Sequence, residues 1–166
     1  MKLFTYLSMV AFMAMLTFSC SSDSDEFQEN KIDQAHLKNA PETKLIELEI
    51  LELINNYRIE SELAPLNNLS IIKAVASTHT DYMVSVNQVN HDNFFQRKSS
   101  LVENASATRV TENVAYAYST AESVVNAWLN SPAHKANIEG DFTDFDISAE
   151  KNSEGKWYFT NIFIKR

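Results

Sequence analysis

The spacing of apolar residues changes along this chain, and that change limits the folds it can adopt. Between positions 46 and 57, apolar side chains recur every three or four residues, the period of an amphipathic helix. Residues 70–88 predict a second helix by the same pattern. Near the C-terminus, residues 142–150 and 157–165 alternate apolar and polar positions on either side of turn-forming residues 152–155, as two antiparallel strands do. Helices followed by a late pair of strands predict an α+β domain.

Shorter patterns fill the middle of the chain. Residues 94–102 fit a short helix, and residues 110–118 alternate weakly, as a strand or an extended segment does. Ser119 and Glu122 have the spacing of a capping box, which predicts that a helix begins there. Ser131 precedes a proline, so we expect a further short helix with Ser131 as its N-terminal cap.

The N-terminus predicts export. Lys2 supplies a positive charge, residues 7–18 form an apolar run too short for a typical membrane span, and Ser19 precedes Cys20. We interpret residues 1–19 as a lipoprotein signal peptide and Cys20, the chain's single cysteine, as the lipidated residue. The alternative is a short membrane anchor that is not removed.

The next segment is polar and acidic and lacks periodic apolar positions. We therefore expect residues 20–43 to form a lipidated cysteine with a flexible tether, and residues 44–166 to form the domain. Residues 21–25 also resemble the export signals of bacterial surface lipoproteins. The expected location is outside the cytoplasm, anchored by acyl chains on Cys20 to a bacterial membrane, the outer membrane by this resemblance.

Charge and glycine content argue against several function classes. The chain has a formal net charge of -8 and no long run of lysine or arginine, so a nucleic-acid partner is not expected. With only 2 glycines, it has no glycine-rich phosphate-binding loop.

Two of the four histidines are candidates for chemistry. His36 lies in the predicted tether, where we expect it to be solvated, and His79 lies within a predicted helix, where a packed or hydrogen-bonded role is the simplest. His91 and His134 fall at element boundaries, where side chains can face a cleft, and Glu112 lies between them in the sequence. Two imidazoles and a carboxylate can hold Zn²⁺ with a position left for water, although spacings of about 20 residues carry no register that brings them together.

A nucleophilic enzyme has weaker support in the sequence. Ser131 lies close to His134, but the chain has no G-x-S-x-G elbow. Lipidation of Cys20 would remove the only thiol as a nucleophile.

Several motifs, in their order along the chain, resemble those of the CAP superfamily of cysteine-rich secretory, antigen 5 and pathogenesis-related proteins. The most specific is residues 128–138, WLNSPAHKANI, which is similar to the family pattern W-x-x-S-P-G-H-R-x-N-I. The other matches are shorter: residues 53–58 with 63–66, residues 76–83, residues 90–91, residues 111–115 and residues 157–163. By these motifs the chain is identified as a member of the bacterial branch that lacks disulfides.

The resemblance implies a three-layer α-β-α sandwich with a small antiparallel sheet and a central cleft. Clefts in this family often hold two histidines and two acidic residues that can bind zinc. His91, Glu112 and His134 match three of these positions, and the fourth, acidic position falls on Ser131. The resemblance therefore implies a cleft formed by these four residues, with the two histidines and Glu112 as the zinc ligands.

This chain departs from the family pattern where relatives have glycine or glutamine. Thr111 and Ala133 replace glycines next to the matching glutamate and histidine, Asp146 and Ser148 stand where relatives often have glycines, and Asn161 replaces a glutamine. Because glycine permits close backbone approach, these changes leave a metal-free cleft as an alternative.

Three functions follow from this reasoning. The first is a non-enzymatic, envelope-tethered binding module whose cleft takes a small ligand, lipid, peptide or glycan, with or without a divalent metal. The second is a zinc-dependent, peptidase-like hydrolase that uses His91, Glu112 and His134. The third is a structural or adhesive envelope protein with an inert cleft.

Overall fold

The computed structural model describes residues 32–166 of the chain. The predicted signal peptide, Cys20 and the first part of the predicted tether lie outside the described residues. Along the described chain, the helices and strands follow in this order: α1 (Gln34–Lys38), α2 (Leu45–Glu60), β1 (Asn67–Asn68), α3 (Ser70–Val86), α4 (Phe94–Ala105), β2 (Arg109–Tyr116), α5 (Ala121–Leu129), α6 (Pro132–Ile138), β3 (Asp144–Lys151) and β4 (Trp157–Lys165).

Four strands form one sheet in the order β1-β3-β4-β2. Strands β2 and β3 both pair antiparallel with β4, and the short β1 pairs parallel with β3. Glu112 in β2 lies opposite Ile162 in β4, which lies opposite Asp146 in β3. Strand β2 is therefore an edge strand, and its outer side is available to the helices that surround it.

Two clusters of buried side chains cover the two faces of this sheet. Helices α2, α5 and α6 pack on one face against alternate sheet residues such as Phe145 and Phe159. Helices α1, α3 and α4 pack on the other face against Val110, Ile162 and Ile164. This confirms the predicted α+β, three-layer α-β-α sandwich, since alternate strand residues supply one apolar set to each helix layer.

Two predicted helix caps differ in the structure. The helix expected to begin at Ser119 has Thr120 as its N-cap. The Thr120 side chain accepts a hydrogen bond from the Ser123 backbone N–H at 3.2 Å, while Ser123 Oγ accepts one from the Thr120 backbone N–H. Ser131 occupies the N-cap position of α6, as predicted, but its side chain makes no capping hydrogen bond.

Part of the predicted tether is a helix that packs on the domain. Asp33 accepts a hydrogen bond from the Ala35 backbone N–H at 2.9 Å and caps α1, and Leu37 is only 8% exposed in the same cluster as α3. His36, which we expected to be solvated, is half-buried with its Nε2 3.0 Å from Ser77 Oγ. A five-residue helix with one buried apolar residue is too short to show a period in sequence, which is why the sequence predicted a tether here.

No helix in residues 32–166 has the length and apolar character needed to span a bilayer.

Candidate functional site

The buried carboxylate of Glu112 is the centre of the candidate site. Glu112 lies in the middle of β2 and points toward α4, where Arg97 Nε donates to one carboxylate oxygen at 2.7 Å and Arg97 Nη2 donates to the other at 2.6 Å. Both side chains are almost fully buried; Arg97 is 2% exposed. This two-point pairing of a guanidinium with a carboxylate fixes the geometry of both groups.

His91 extends this pair toward solvent. Its Nδ1 lies 2.8 Å from Glu112 Oε1, and 53% of its side chain is exposed. Because an ionised carboxylate can only accept a hydrogen bond, the Nδ1–H must donate, which leaves Nε2 as the free ring atom. Arg97 Nη1 also donates to the backbone carbonyl of Asp92 at 2.7 Å and so holds the loop that carries His91.

Glu112 is ionised in this setting. Burial on its own raises the pKa of a carboxyl group, but the hydrogen bonds from His91 and Arg97, with the positive charge of Arg97, outweigh burial and lower the pKa of Glu112 below its usual value. The carboxylate of Glu112 thus stays ionised, and the positive charge of Arg97 compensates its negative charge.

His134 lies near this pair without joining it. It lies in the first turn of α6, and burial together with the positive charge of His91 lowers its pKa. Within the described residues, no hydrogen bond connects its ring with His91 or Glu112; its backbone carbonyl accepts from Asn113 Nδ2 at 3.1 Å. Ser131 lies at the start of the same helix and does not line the cavity described below.

His79 has the packed role predicted for it. It is almost fully buried, and its Nε2 lies 2.8 Å from the Asn90 carbonyl oxygen. Burial, with the positive charge of Arg97, lowers the pKa of His79. This histidine supports the loop before His91 rather than extending toward Glu112.

Two residues of the site were missed from the sequence. Arg97 was missed although it lies on the same helix face as Phe94 and Leu101, and a charged residue on an apolar face signals a buried partner. Asn137 was also missed: its Nδ2 donates to the Glu112 backbone carbonyl at 3.3 Å and to Asn113 Oδ1 at 2.8 Å. Asn137 is the asparagine of the family motif in residues 128–138, but the motif does not show its role, because both of its partners come from β2.

A cavity of about 230 Å³ lies over the outer edge of β2. It is lined by His91, Phe94, Val110, Thr111, Glu112 and Asn137. The hydroxyl of Thr111 is buried there and has no hydrogen-bond partner within residues 32–166. The cavity thus combines an apolar wall with a neutralised ion pair, and the buried Thr111 hydroxyl, which lacks a partner in the described chain, belongs to one of its lining residues. We call this cavity the β2 cleft.

The zinc site implied by the resemblance does not match this arrangement. In the part of the chain that the structure describes, no three histidine, cysteine, aspartate or glutamate side chains are grouped so as to share a metal ion. For Glu112 to bind zinc, its carboxylate has to be ionised and to have a free oxygen. Arg97 already donates to both oxygens of Glu112, so the Arg97 guanidinium competes with a metal ion for this carboxylate. Zinc uptake by His91, Glu112 and His134 stays a prediction.

Comparisons with known proteins agree with the fold and the motifs. A family model described as "Cysteine-rich secretory protein family", abbreviated CAP, matches residues 51–163. An uncharacterized membrane protein of Bacillus subtilis, YlbC, is 32% identical over 124 residues, which cover 72% of this chain and 34% of that protein. The chain therefore spans about a third of the length of this curated relative.

Solved structures share the fold at lower identity. An outer surface protein from Borrelia burgdorferi has a TM-score of 0.68 at 24% identity, covering 77% of this chain and 98% of that chain. An extracellular protein with an SCP domain from Bacillus anthracis has a TM-score of 0.64 at 23% identity, covering 72% of this chain and 40% of that chain. A cysteine-rich secretory protein from Staphylococcus aureus has a TM-score of 0.62 at 20% identity, covering 72% of this chain and 38% of that chain.

Proposed function

This chain belongs to the cysteine-rich secretory protein (CAP) family, and from that premise we propose that it is a non-enzymatic binding module that takes its ligand in the β2 cleft. The observation that carries this proposal is the buried pairing of Glu112 with Arg97. A carboxylate whose two oxygens are both held by one guanidinium is poorly placed to take a proton or to bind a metal. The cleft that remains is suited to recognition.

An extended peptide segment is the ligand class that the cleft favours. In the antiparallel pairing of β2 with β4, the Ala117 backbone N–H donates to the Trp157 carbonyl. Counting back from Ala117, every second residue therefore directs its backbone N–H and C=O groups toward β4, and the residues between them direct these groups outward. The outward carbonyls of Glu112 and Val114 accept from the side chains of Asn137 and Trp128. Val110 is therefore the outward position left open next to the cavity, so a peptide would pair with the sheet edge at Val110 and place the rest of its length in the cavity.

A titration with one defined peptide tests this proposal. The probe is a blocked, uncharged tetrapeptide of alternating valine and threonine. It is added to the mature chain, which is residues 20–166 after the predicted signal peptide is removed, and two-dimensional NMR follows the amide signals of the protein. We expect saturable shift changes at residues 110–114 and at His91, with the peptide recovered intact by mass spectrometry. Thr111→Val should weaken binding about 5-fold, because the variant keeps the shape of the side chain and loses the buried hydroxyl. Thr43→Val, at an exposed position outside the cleft, is the control.

Absence of saturable change up to about 10 mM peptide would overturn the proposal. Equal weakening by Thr43→Val would do so as well, since it would show that the effect does not come from the cleft.

A metal-dependent or metal-free hydrolase is the second candidate, favoured by the orientation of His91. A histidine held through Nδ1 by a carboxylate presents Nε2 as a proton acceptor, as a general base requires. Cleavage of the probe peptide that is lost in His91→Ala would support this candidate against the first.

Equilibrium dialysis against micromolar zinc, followed by elemental analysis, separates the two forms of this candidate. One zinc per chain that is lost in His134→Ala would support the metal-dependent form and would contradict the metal-free cleft.

We also propose that the module acts outside the cytoplasm, anchored through acyl chains on Cys20. The N-terminal pattern supports this, and the relatives above are named as membrane, outer surface or extracellular proteins. Metabolic labelling of cells with an alkyne fatty acid should tag the native chain and leave Cys20→Ser untagged. Labelling that persists in Cys20→Ser would contradict lipidation at this residue.

A further inference from the structure

A second pocket lies on a different face of α4 from the one that carries Arg97. It has a volume of about 180 Å³ and is bordered by the N-terminal segment that carries α1 and by α4. Its lining includes Gln34 from α1 and Phe95, Gln96, Ser100, Glu103 and Asn104 from α4. None of its lining residues belongs to the β2 cleft. We call it the α1/α4 pocket.

Two polar atoms in the wall of this pocket have hydrogen-bonding capacity that the described residues do not use. Ser100 is 7% exposed, and its hydroxyl is buried without a partner within residues 32–166. The Gln96 side-chain oxygen is likewise buried and without a partner in that part of the chain. Leaving such groups unpaired is unfavourable, so a pocket that contains two of them is suited to a ligand that carries hydroxyl or amide groups.

The same pocket has an aromatic wall. Phe95 is 67% exposed, which is unusual for a phenylalanine on a surface helix, and it lies one residue from Gln96. Gln34 and Asn104, joined by a hydrogen bond of 3.2 Å from Gln34 Nε2 to Asn104 Oδ1, add two amides to the rim. The lining therefore pairs one apolar ring with amides and hydroxyls.

An adjacent cavity of about 160 Å³ extends this surface along α3. It shares Ile32 and Gln96 with the first pocket and includes His79 and Tyr82. His79 Nε2 contacts the Asn90 carbonyl, so Nε2 carries the proton and Nδ1 is an acceptor; Nδ1 is buried with no partner in the described chain. The two cavities are therefore neighbours, and their lining residues contain three buried polar atoms that have no partner in residues 32–166.

We propose that the α1/α4 pocket binds a neutral sugar, with one ring stacked on Phe95 and its hydroxyls bonded to Ser100 and Gln96, whose side chains turn their buried oxygens toward the sugar. A sugar ring has an apolar face of C–H groups and an edge of hydroxyl groups, which is the combination that this lining matches. Glu103 is the charged side chain of the α1/α4 pocket, so an anionic ligand is disfavoured. A fatty acyl chain is disfavoured because it would leave the buried hydroxyl and amide oxygen unpaired.

Amide NMR of the mature chain with defined sugars tests the proposal. The probes are glucose, N-acetylglucosamine and their β-1,4-linked disaccharides, with glucuronate as the anionic comparison and glycerol as the simple polyol. We expect saturable shifts in residues 95–104, with a dissociation constant of about 1–10 mM for at least one neutral sugar, as is usual for a small shallow site. Glucuronate and glycerol should bind at least about 5-fold more weakly than that sugar.

Matched variants on α4 locate the binding. Phe95→Ala should weaken it at least about 10-fold through loss of the stacking surface, and Ser100→Ala about 5-fold through loss of one hydrogen bond. Ser100→Ala removes an unpaired group, so the variant should fold. Val102→Ala, at an exposed position of α4 outside the pocket, and His91→Ala, in the β2 cleft, should leave the affinity unchanged.

Failure to saturate with any neutral sugar up to about 100 mM would overturn the proposal. Equal binding of glycerol, unchanged affinity in Phe95→Ala, or shifts centred on β2 would also overturn it. Because the probes and variants differ from those for the β2 cleft, failure of one proposal leaves the other open to its own test.

Discussion

At the scale of single residues, two buried charged groups have opposite electrostatic settings. Glu112 is compensated by Arg97 and His91, and its pKa is lowered although burial opposes this. Asp146 is also buried, but its nearest hydrogen bond is from the Ile147 backbone N–H at 2.9 Å, and burial raises its pKa to about 6. The difference follows from the partners: a guanidinium that donates to both carboxylate oxygens offsets the loss of hydration of Glu112. The backbone N–H groups near Asp146 and the charge of Lys73, which is paired with Glu47, do not offset it for Asp146.

Replacement of Arg97 by an uncharged residue should destabilise the folded domain. In Arg97→Met the carboxylate of Glu112 stays buried and loses its compensating charge, so we expect a loss of about 3–5 kcal/mol in the free energy of unfolding. The measurement is urea denaturation at neutral pH. The control is Arg97→Met combined with Glu112→Gln, which removes both charges and should recover at least half of the loss. A single-variant loss under about 1 kcal/mol would show that the pair is not buried.

Asp146 should make stability fall as pH rises. Its folded pKa of about 6 is above the ordinary value of 3.8, so the native state binds more protons than the unfolded state between these values. The contribution of Asp146 to the free energy of unfolding is therefore lost as pH rises from about 4 to 6, and the total loss is roughly 2–3 kcal/mol.

The matched variant is Asp146→Asn, which cannot titrate. Its unfolding free energy relative to the native chain should increase over that pH range and then stay constant above it. Denaturation curves at about pH 4, 5, 6 and 7 measure this difference, and a constant difference across the series would contradict the assignment.

At the scale of elements, the outer edge of β2 is covered by side chains rather than by another strand. Trp128 Nε1 donates to the Val114 carbonyl at 3.1 Å, and Asn137 Nδ2 donates to the Glu112 carbonyl. These two contacts use carbonyls that would otherwise be open to pairing with another chain, as edge strands commonly are. They also define where the cleft ends, next to Val110.

Helix α1 should contribute to stability although it lies in the predicted tether. Leu37→Ala removes its buried side chain, and we expect a loss of about 1–2 kcal/mol, below that of a central core leucine because the helix is short and peripheral. Lys38→Ala, exposed on the same helix, should change stability by less than about 0.5 kcal/mol. Chemical denaturation measures both; identical results for the two variants would show that α1 does not pack on α3.

At the scale of the whole molecule, one sheet is shared by two separate apolar layers. The α2, α5 and α6 layer and the α1, α3 and α4 layer contact opposite faces of β3 and β4. Loss of either layer exposes the sheet that supports the other, so the described domain should unfold as one unit.

The positions of the two tryptophans allow this cooperativity to be tested. Trp128 and Trp157 both belong to the α2, α5 and α6 layer, so their fluorescence reports that layer, whereas far-ultraviolet circular dichroism reports the helices of both. We expect the two signals to give the same midpoint in a urea titration. A circular dichroism transition that precedes the fluorescence transition would show that the α1, α3 and α4 layer unfolds first.

Most of the fold could be predicted from residues close together in the chain. Helices α2 and α3 and strands β2 to β4 have apolar periods that a short window reveals, and the order of the motifs identified the family and its three layers. The packed role of His79 followed from its place on a helix face. Such features depend on neighbours within a few positions, so the chain encodes them locally.

The chemistry of the site depends on contacts that no local pattern specifies. Glu112 meets Arg97, 15 residues away, because β2 and α4 pack together, and this pairing neutralises the buried carboxylate. His36 reaches Ser77, 41 residues away, only after α1 packs on α3. The free energy of a buried charge or a short helix depends on which groups surround it, and those neighbours exist only once the layers have assembled.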